Sequence, residues 1–412
     1  MRPTRSRISY SAVVLRRAVP VAVVAAFALF APTSAMASPS TCTVNGSTQS
    51  GTTITGTNGD DTIACANGIS GGTTVNALDG NDTVTTTNNV GVVNGGAGDD
   101  TLNLTSLNYG TVNGGPGDDK ISTPENGKTP YVTGIIHGDL GNDIVTVTAS
   151  SGINSSTIYG DDGADTIKVR TNYIGTGQIL GGPGVDTITV DNNEGVVHGN
   201  EDPDVITVNQ TANTSTPKPT VFGDGGNDTI TATQNLNGDI LRGDDGDDTI
   251  TVATNDSGAQ VLGGAGVDTI AVTTTSRAVV DGGAGNDTIT TPAGVANTGT
   301  LRGGTENDTI TVDNNDRGGS LDGGPGADSI KVSRDLGTIS GGDDGDTITV
   351  TNLVWVNPPN PEAAVYGNAG NDTITVTEFQ RYGTVDGGPD TDNCLVKHIS
   401  DPSGAKILNC NP

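Results

Sequence analysis

The sequence predicts an all-β fold, a two-sided parallel β-solenoid with one coil per roughly 20 residues and disulfide-capped ends. Three observations predict it. The string G-[GDN]-x-G-x-D-[TS]-[ILV] recurs along most of the chain. Its final aspartates are Asp61, Asp82, Asp100, Asp119, Asp143, Asp165, Asp186, Asp204, Asp228, Asp248, Asp268, Asp287, Asp308, Asp328, Asp346, Asp372 and Asp392, 17 copies spaced 18 to 26 residues apart. Each copy runs into an alternating apolar and polar stretch. Four cysteines, at 42, 65, 394 and 410, lie as one pair near each end.

One coil, "GGPGVDTITVDNNEGVVHG" at 181–199, justifies the elements in order. Gly181 to Asp186 form a tight glycine-rich turn, where several positions need positive φ. In "TITV", Ile188 and Val190 share one face and Thr187 and Thr189 the other, the period of a half-buried strand. "DNNEG" makes a second turn, and "VVH" a second strand. The pattern holds down the column: Ile63, Ile167, Ile230, Ile250, Ile270, Ile310 and Ile374 repeat the inward position. Val93, Val112, Ile136, Ile158, Val197, Leu241, Val280 and Leu321 stand two residues before the glycine pairs. The residue between is variable (Asn94, His137, Tyr159, His198, Arg242, Asp281), as expected of an outward slot. This implies a thin core, one aliphatic layer from each wall. At about 4.8 Å per rung the rod is on the order of 80 Å long.

The ends read differently. Residues 1–37 carry five arginines, the apolar run "AVPVAVVAAFALFA" and Ala35-Met36-Ala37, the features of a secretory signal peptide cut after Ala37. A cap at 38–55, repeats over 56–393 and a second cap at 394–412 complete the organisation. In an exported chain the cysteines suggest local disulfides Cys42–Cys65 and Cys394–Cys410, each contributing on the order of 3 kcal/mol. Free thiols are the alternative. Proline-rich inserts at 211–220 and 354–364 replace the second turn, and the latter holds the only tryptophan, Trp355.

The full chain has net charge −29. Removing five arginines and no acid brings it to about −34. Such a surface excludes nucleic acid and disfavours anionic lipid. Beyond the signal segment no apolar run is long enough to span a bilayer. The charge suits cations.

Stacked coils set the aspartates in a column about 5 Å apart, where like charges cost about 1 kcal/mol each in bulk water and more at lower dielectric. A thin aliphatic core does not offset that sum, so the pattern calls for cations between turns. Carboxylates and turn carbonyls are hard oxygen donors that suit Ca²⁺. The turns hold no histidine or cysteine, which argues against zinc or copper, and Mg²⁺ demands a stricter geometry. The alternative is a metal-free column in which Asp serves only as a turn former.

"GGAGDDTLN" (95–103), "GGPGDDKIS" (114–122) and "GGAGNDTIT" (282–290) resemble the hemolysin-type, or repeats-in-toxin (RTX), calcium-binding nonapeptide G-G-x-G-x-D-x-U-x. The resemblance implies a parallel β-roll with multiple Ca²⁺ ions held between successive turns by aspartate carboxylates and glycine carbonyls. It assigns Asp61, Asp82, Asp100, Asp119, Asp143, Asp165, Asp186, Asp228, Asp248, Asp268, Asp287, Asp308, Asp328, Asp346 and Asp372 as ligands. Gly95, Gly96, Gly98, Gly114, Gly115, Gly117, Gly282, Gly283 and Gly285 flank them. The copies ending in Asp204 and Asp392 depart most. One motif per coil, instead of tandem motifs, implies calcium on one edge only, with a metal-free edge of "TNN" and "DNN" turns opposite. No toxin, protease or lipase domain accompanies the repeats.

No catalytic constellation emerges. The histidines His137, His198 and His398 are scattered and read as surface residues, and the repeat accounts for every carboxylate pair. The expected function is a secreted, non-enzymatic calcium-binding protein with a structural, surface or matrix role. A second reading is ice binding by the outward Thr-x-Thr files (187/189, 229/231, 249/251, 288/290, 309/311, 347/349, 373/375), which Lys120, Lys168, Ala271 and Lys331 interrupt. A third, a polysaccharide lyase or epimerase, lacks a clustered set of basic residues.

Overall fold

The computed structural model describes residues 39–411 except 128–132, 149–151, 174, 212–217, 237, 355–362 and 381. The signal segment, most of the 211–220 insert and Trp355 lie outside the described residues.

The coils stack into two parallel walls, each coil running once along each wall, with the first-wall strand split in two in the coils of Asp119 and Asp143. The first wall follows the acidic turns, with strands such as Thr166–Asn172, Thr187–Asn193, Val205–Thr211 and Thr229–Asn235. The second precedes them, with strands such as Val92–Ala97, Val196–Glu201 and Thr220–Gly225. Like stacks on like, because the register is constant. Ile167, Ile188, Ile206, Ile230 and Ile250 pair in succession on the first wall, and Val197, Val221, Leu241, Val261 and Val280 on the second.

The cross-section has the expected thin core, one aliphatic layer from each wall, but polar side chains close its edges. In the coil of Asp186, the inward residues are Asp186, Ile188, Val190, Asn193 and Val197, all fully buried. The first wall thus supplies two aliphatic side chains and the second wall one. An aspartate closes one edge and an asparagine the other. The alternation breaks after Val190, where Asp191 and Asn192 both face out, and Asn193 then turns inward at the corner.

That asparagine belongs to a ladder. Asn89, Asn108, Asn126, Asn154, Asn172 and Asn193 donate in turn from each Nδ2 to the next Oδ1 at 2.9–3.0 Å. The file continues through Thr211, Asn235, Asn255, Ser276, Asn297 and Asn315 to Asp335. Each amide also bonds backbone across the turn, as Asn89 does with the Gly91 N–H and the Thr111 carbonyl. An amide that both donates and accepts is buried without penalty in this way.

The ends are tied as the cysteine spacing suggested, Cys42 to Cys65 and Cys394 to Cys410. The start departs from the parallel pattern. Ser40–Val44 and Ser47–Gly51 form an antiparallel hairpin about Asn45-Gly46, both at positive φ, and Ser40–Val44 also lies antiparallel to Thr62–Cys65. This covers the first edge of the first wall. At the other end, Leu395, Ile399, Ile407 and Leu408 stay exposed, so that disulfide ties the last coil without covering it.

Candidate metal centre

The glycine turn dictates where the carboxylates go. Its second and fourth residues hold positive φ: Gly96 and Gly98, Gly115 and Gly117, Gly283 and Gly285. Asp139, Asp161, Asp224 and Asp244 adopt the same left-handed conformation at the second position, and Asp202, Glu306 and Asp344 at the fourth. The chain then swings the sixth residue inward. The column aspartates are therefore not displayed on the turn surface but tucked beneath it, at most 2% exposed.

Within the column the two oxygens of each carboxylate fare differently. Oδ1 accepts the backbone N–H of the aspartate one coil earlier at 2.6–2.9 Å, from Asp61 N–H to Asp82 through Asp372 N–H to Asp392. Oδ2 has no hydrogen-bond partner in any aspartate of the file from Asp82 to Asp392, though it is buried. It faces the first glycine of its own turn. A Cβ on Gly95 would lie 2.3 Å from Asp100 Oδ2 and 2.4 Å from the Gly114 carbonyl oxygen, and Gly114 and Gly282 are hemmed in likewise. These glycines leave the carboxylate and the next coil's carbonyl converging on one space.

Burial is the first cause that raises these carboxyls, and neighbouring aspartates add to it in most. Asp119 and Asp204 are pushed up to about 8. Asp143, Asp165, Asp186, Asp248, Asp287, Asp308 and Asp346 are pushed up to about 7, and Asp100, Asp228, Asp268 and Asp328 to about 6. Asp82 and Asp372 move the same way. Asp61 is the exception. The Thr57 N–H and hydroxyl and the Asn45 amide surround it, and its pKa is lowered, chiefly by the Thr57 N–H. The hairpin thus closes the column's first carboxylate with protein donors.

The accessory acids at the fifth turn position do something else. Asp247 Oδ1 accepts the Val267 N–H of the next coil at 2.8 Å, and Asn227 accepts that of Asp247 at 3.0 Å. Asp99 and Asn81 act alike. This outer file bonds forward along the rod, whereas the buried file bonds backward. Asp244 instead pairs with Arg242 at 2.6 Å.

Sequence reasoning placed the aspartate column and its glycines together, and they are together. It missed that the carboxylates are buried, and it missed the asparagine ladder, whose signal was the Asn recurring at most of the second turns. It also missed Asp239, fully buried and pushed up to about 6 by burial, against the opposing pull of Thr211 and the Lys218 charge. The coil at 77–82 puts Ala77 and Leu78, the latter at φ 91°, where other coils carry glycine first.

A parallel solenoid whose glycine-rich edge buries a file of half-bonded carboxylates defines a repeat protein suited to hard cations. Orphaned carboxylate oxygens beside turn carbonyls fit Ca²⁺, which takes six to eight oxygens. The family model for the RTX calcium-binding nonapeptide repeat (4 copies) matches residues 151–168, 220–234, 235–252, 279–291 and 365–377. The chain carries calcium-binding repeats of the RTX type. No curated protein matches it. Among solved structures it is similar to a hyperactive, Ca²⁺-dependent, β-helical antifreeze protein from an Antarctic bacterium. The two are 20% identical over 79% of this chain and 84% of that one, with a TM-score of 0.37. Among the described residues no helix is long and apolar enough to cross a membrane.

Proposed function

We propose that this chain is a secreted, non-enzymatic calcium-binding rod whose folding is coupled to Ca²⁺, with a structural, surface or matrix role. The observation that carries the reading is the buried Oδ2 file. A carboxylate oxygen without a partner inside a protein is costly unless protonated or neutralised. With pKa values of about 6 to 8, the column is at least partly ionised at neutral pH.

We assign the aspartates from Asp82 to Asp372 and the carbonyls around Gly95, Gly96, Gly98, Gly114, Gly115, Gly117, Gly282, Gly283 and Gly285 to the ion-holding edge. Asp61 starts the file as a protein-capped end. Bound Ca²⁺ supplies the positive charge that permits the carboxylates to ionise while stacked. The chain's part is to hold Oδ1 on the neighbouring amide and aim Oδ2 at the glycine carbonyl. Circular dichroism with and without chelator at pH 7.5 tests the coupling: a β spectrum only in millimolar calcium is expected, and identical spectra in both overturn it. Calorimetry showing no calcium binding overturns the function itself. Export after cleavage at Ala37 is checked by the N-terminal sequence of the exported protein.

A second reading is favoured by the register of the first wall. Thr229, Thr249, Thr269, Thr288 and Thr309 form one outward file, and Thr231, Thr251, Ala271, Thr290 and Thr311 another beside it. A flat threonine array in register is the kind of surface that matches an ice lattice. Ile144, Val205 and Leu395 interrupt it along with the lysines. Thermal hysteresis in calcium supports this reading, and unshaped ice crystals remove it.

A further inference from the structure

On the outer face of the second wall, where it runs into the glycine turns, two coils place a histidine and two carboxylates together. Strand Ile135–Leu140 pairs with Thr157–Asp162, so His137 sits beside Tyr159 and Asp139 beside Asp161. His137 Nδ1 lies 2.7 Å from Asp161 Oδ2, and the ligand atoms of His137, Asp139 and Asp161 all fall within 4.8 Å of one another. The imidazole is stacked flat on Tyr159, with centroids 4.5 Å apart and an interplanar angle of 0°, which fixes its orientation. Among the described residues this is the only such grouping of three.

We propose that His137, Asp139 and Asp161 form a site for one divalent transition-metal ion of the Zn²⁺ class, on the outward side of two of the glycine turns and with side-chain ligands other than the buried column aspartates. Zinc takes imidazole nitrogen and carboxylate oxygen at about 2.0–2.2 Å, and three protein ligands with a water in the fourth position are a common set. The His137 and Asp161 side chains are 31% exposed, which leaves solvent room for that water. Imidazole is the group that discriminates against calcium, which prefers oxygen donors throughout. Zinc and copper are unsuited to the histidine-free turns, and that argument stands for the column but not for this face.

The molecule contains its own control. His198, Asn200 and Asp224 occupy the same register three coils later, with His198 Nδ1 2.7 Å from Asp224 Oδ2 and His198 stacked on Phe222. Only the third group differs, a neutral amide in place of the Asp139 carboxylate. The Arg242 side chain also stands over Phe222 there, 5.8 Å from its ring centroid, placing positive charge beside the pair.

The test titrates the untagged full mature chain, held in saturating calcium, with Co²⁺ followed by its visible absorption, then displaces it with Zn²⁺. One equivalent with a nitrogen-bearing, low-symmetry spectrum is expected. His137→Ala should abolish it and Asp139→Asn should weaken it at least tenfold. Asn200→Asp should create a second equivalent. Asparagine is tolerated at this backbone position, since Asn200 and Asn368 adopt it at φ 85° and 78°. Circular dichroism checks that each variant keeps its fold. Cobalt binding unchanged by His137→Ala, as ions scattered on the aspartate column would give, overturns the proposal. So does an Asn200→Asp protein with unaltered stoichiometry. The site does not depend on the calcium reading: should calcium prove inert, the titration stands on whatever folded state circular dichroism reports.

Discussion

Replacing Asp248 by asparagine separates the two jobs of a column carboxylate. Asp248 Oδ1 accepts the Asp228 N–H at 2.8 Å, a bond an amide oxygen preserves, while Oδ2 has no partner. Burial pushes the carboxyl up to about 7, with Asp268, Asp228 and Asp244 adding to it. The folded pKa lies above the unfolded value, so the group's favourable contribution is complete below about pH 4. It is lost as pH rises through about 7. By pH 8 a displacement of about three units corresponds to about 4 kcal/mol at about 1.4 per unit. The carboxylate lies only one turn beneath solvent, and screening reduces this to about 1–3 kcal/mol. In chelator at pH 8, Asp248→Asn should therefore be more stable than the parent by about 1–3 kcal/mol, and at pH 5 the gain should shrink to about a third of that. In millimolar calcium the order should invert, because the variant offers one charged oxygen fewer. Urea unfolding followed by circular dichroism, at both pH values with and without calcium, reads all four corners. A variant that is less stable under every condition would refute the reasoning, since it would make the carboxylate a plain structural acceptor.

Four further outcomes follow from the same coil geometry. Gly263→Ala should cost more than about 3 kcal/mol, because its Cβ would lie 2.2 Å from Asp268 Oδ2 and 2.3 Å from the Gly282 carbonyl. Gly59→Ala, with open space around it, should leave the melting temperature nearly unchanged. Asn235→Ala should cost about 2–3 kcal/mol equally with and without calcium in urea melts, since it strips donors from Asn255 Oδ1 and the Gln260 carbonyl. Asp335→Asn should stabilise the protein above about pH 6 and not below pH 4, with or without calcium. Burial raises this carboxyl to about 6, so the destabilisation it causes grows as pH rises above about 4 and is complete above about 6.

The fold was legible because its period is short and its chemistry repeats. Ile188 and Val190 alternate with Thr187 and Thr189, and seventeen such segments cannot all be coincidental. The edges were harder to read. A residue such as Asp248 in a glycine turn looks exposed by ordinary turn statistics, and only the left-handed backbone before it turns the side chain under the coil. Asn193 was read as part of a loop because Asn favours turns. Its burial depends on a partner at Asn172, some twenty residues distant, and such pairing is invisible in a single coil. The hairpin at 40–51 carries a visible Asn-Gly turn signal, yet its antiparallel seat on Thr62–Cys65 is a tertiary fact. His137 and Asp161 lie 24 residues apart, and they meet only because two coils of unequal length keep the same register.

The contrast between the two edges explains why the sequence uses aspartate at one and asparagine at the other. Both edges face the same problem, stacking a polar side chain on its own copy one coil along. An amide solves it alone where amides follow one another, as Asn126 and Asn154 each accept from the Asn before and donate to the Asn after. An ionised carboxylate only accepts. Its Oδ1 can take the neighbouring backbone N–H, but nothing in the stack can donate to Oδ2. The asparagine edge is therefore complete as a polypeptide except at Asn193, whose Nδ2 meets Thr211 and finds no partner, whereas the whole aspartate edge from Asp82 on is complete only with a proton or a cation. Where the asparagine ladder admits an acid, at Asp335, the same unpartnered Oδ2 appears. A chain that needed only a stackable turn could have used Asn throughout. Keeping Asp at every column position makes the stability of the rod answer to the cations around it.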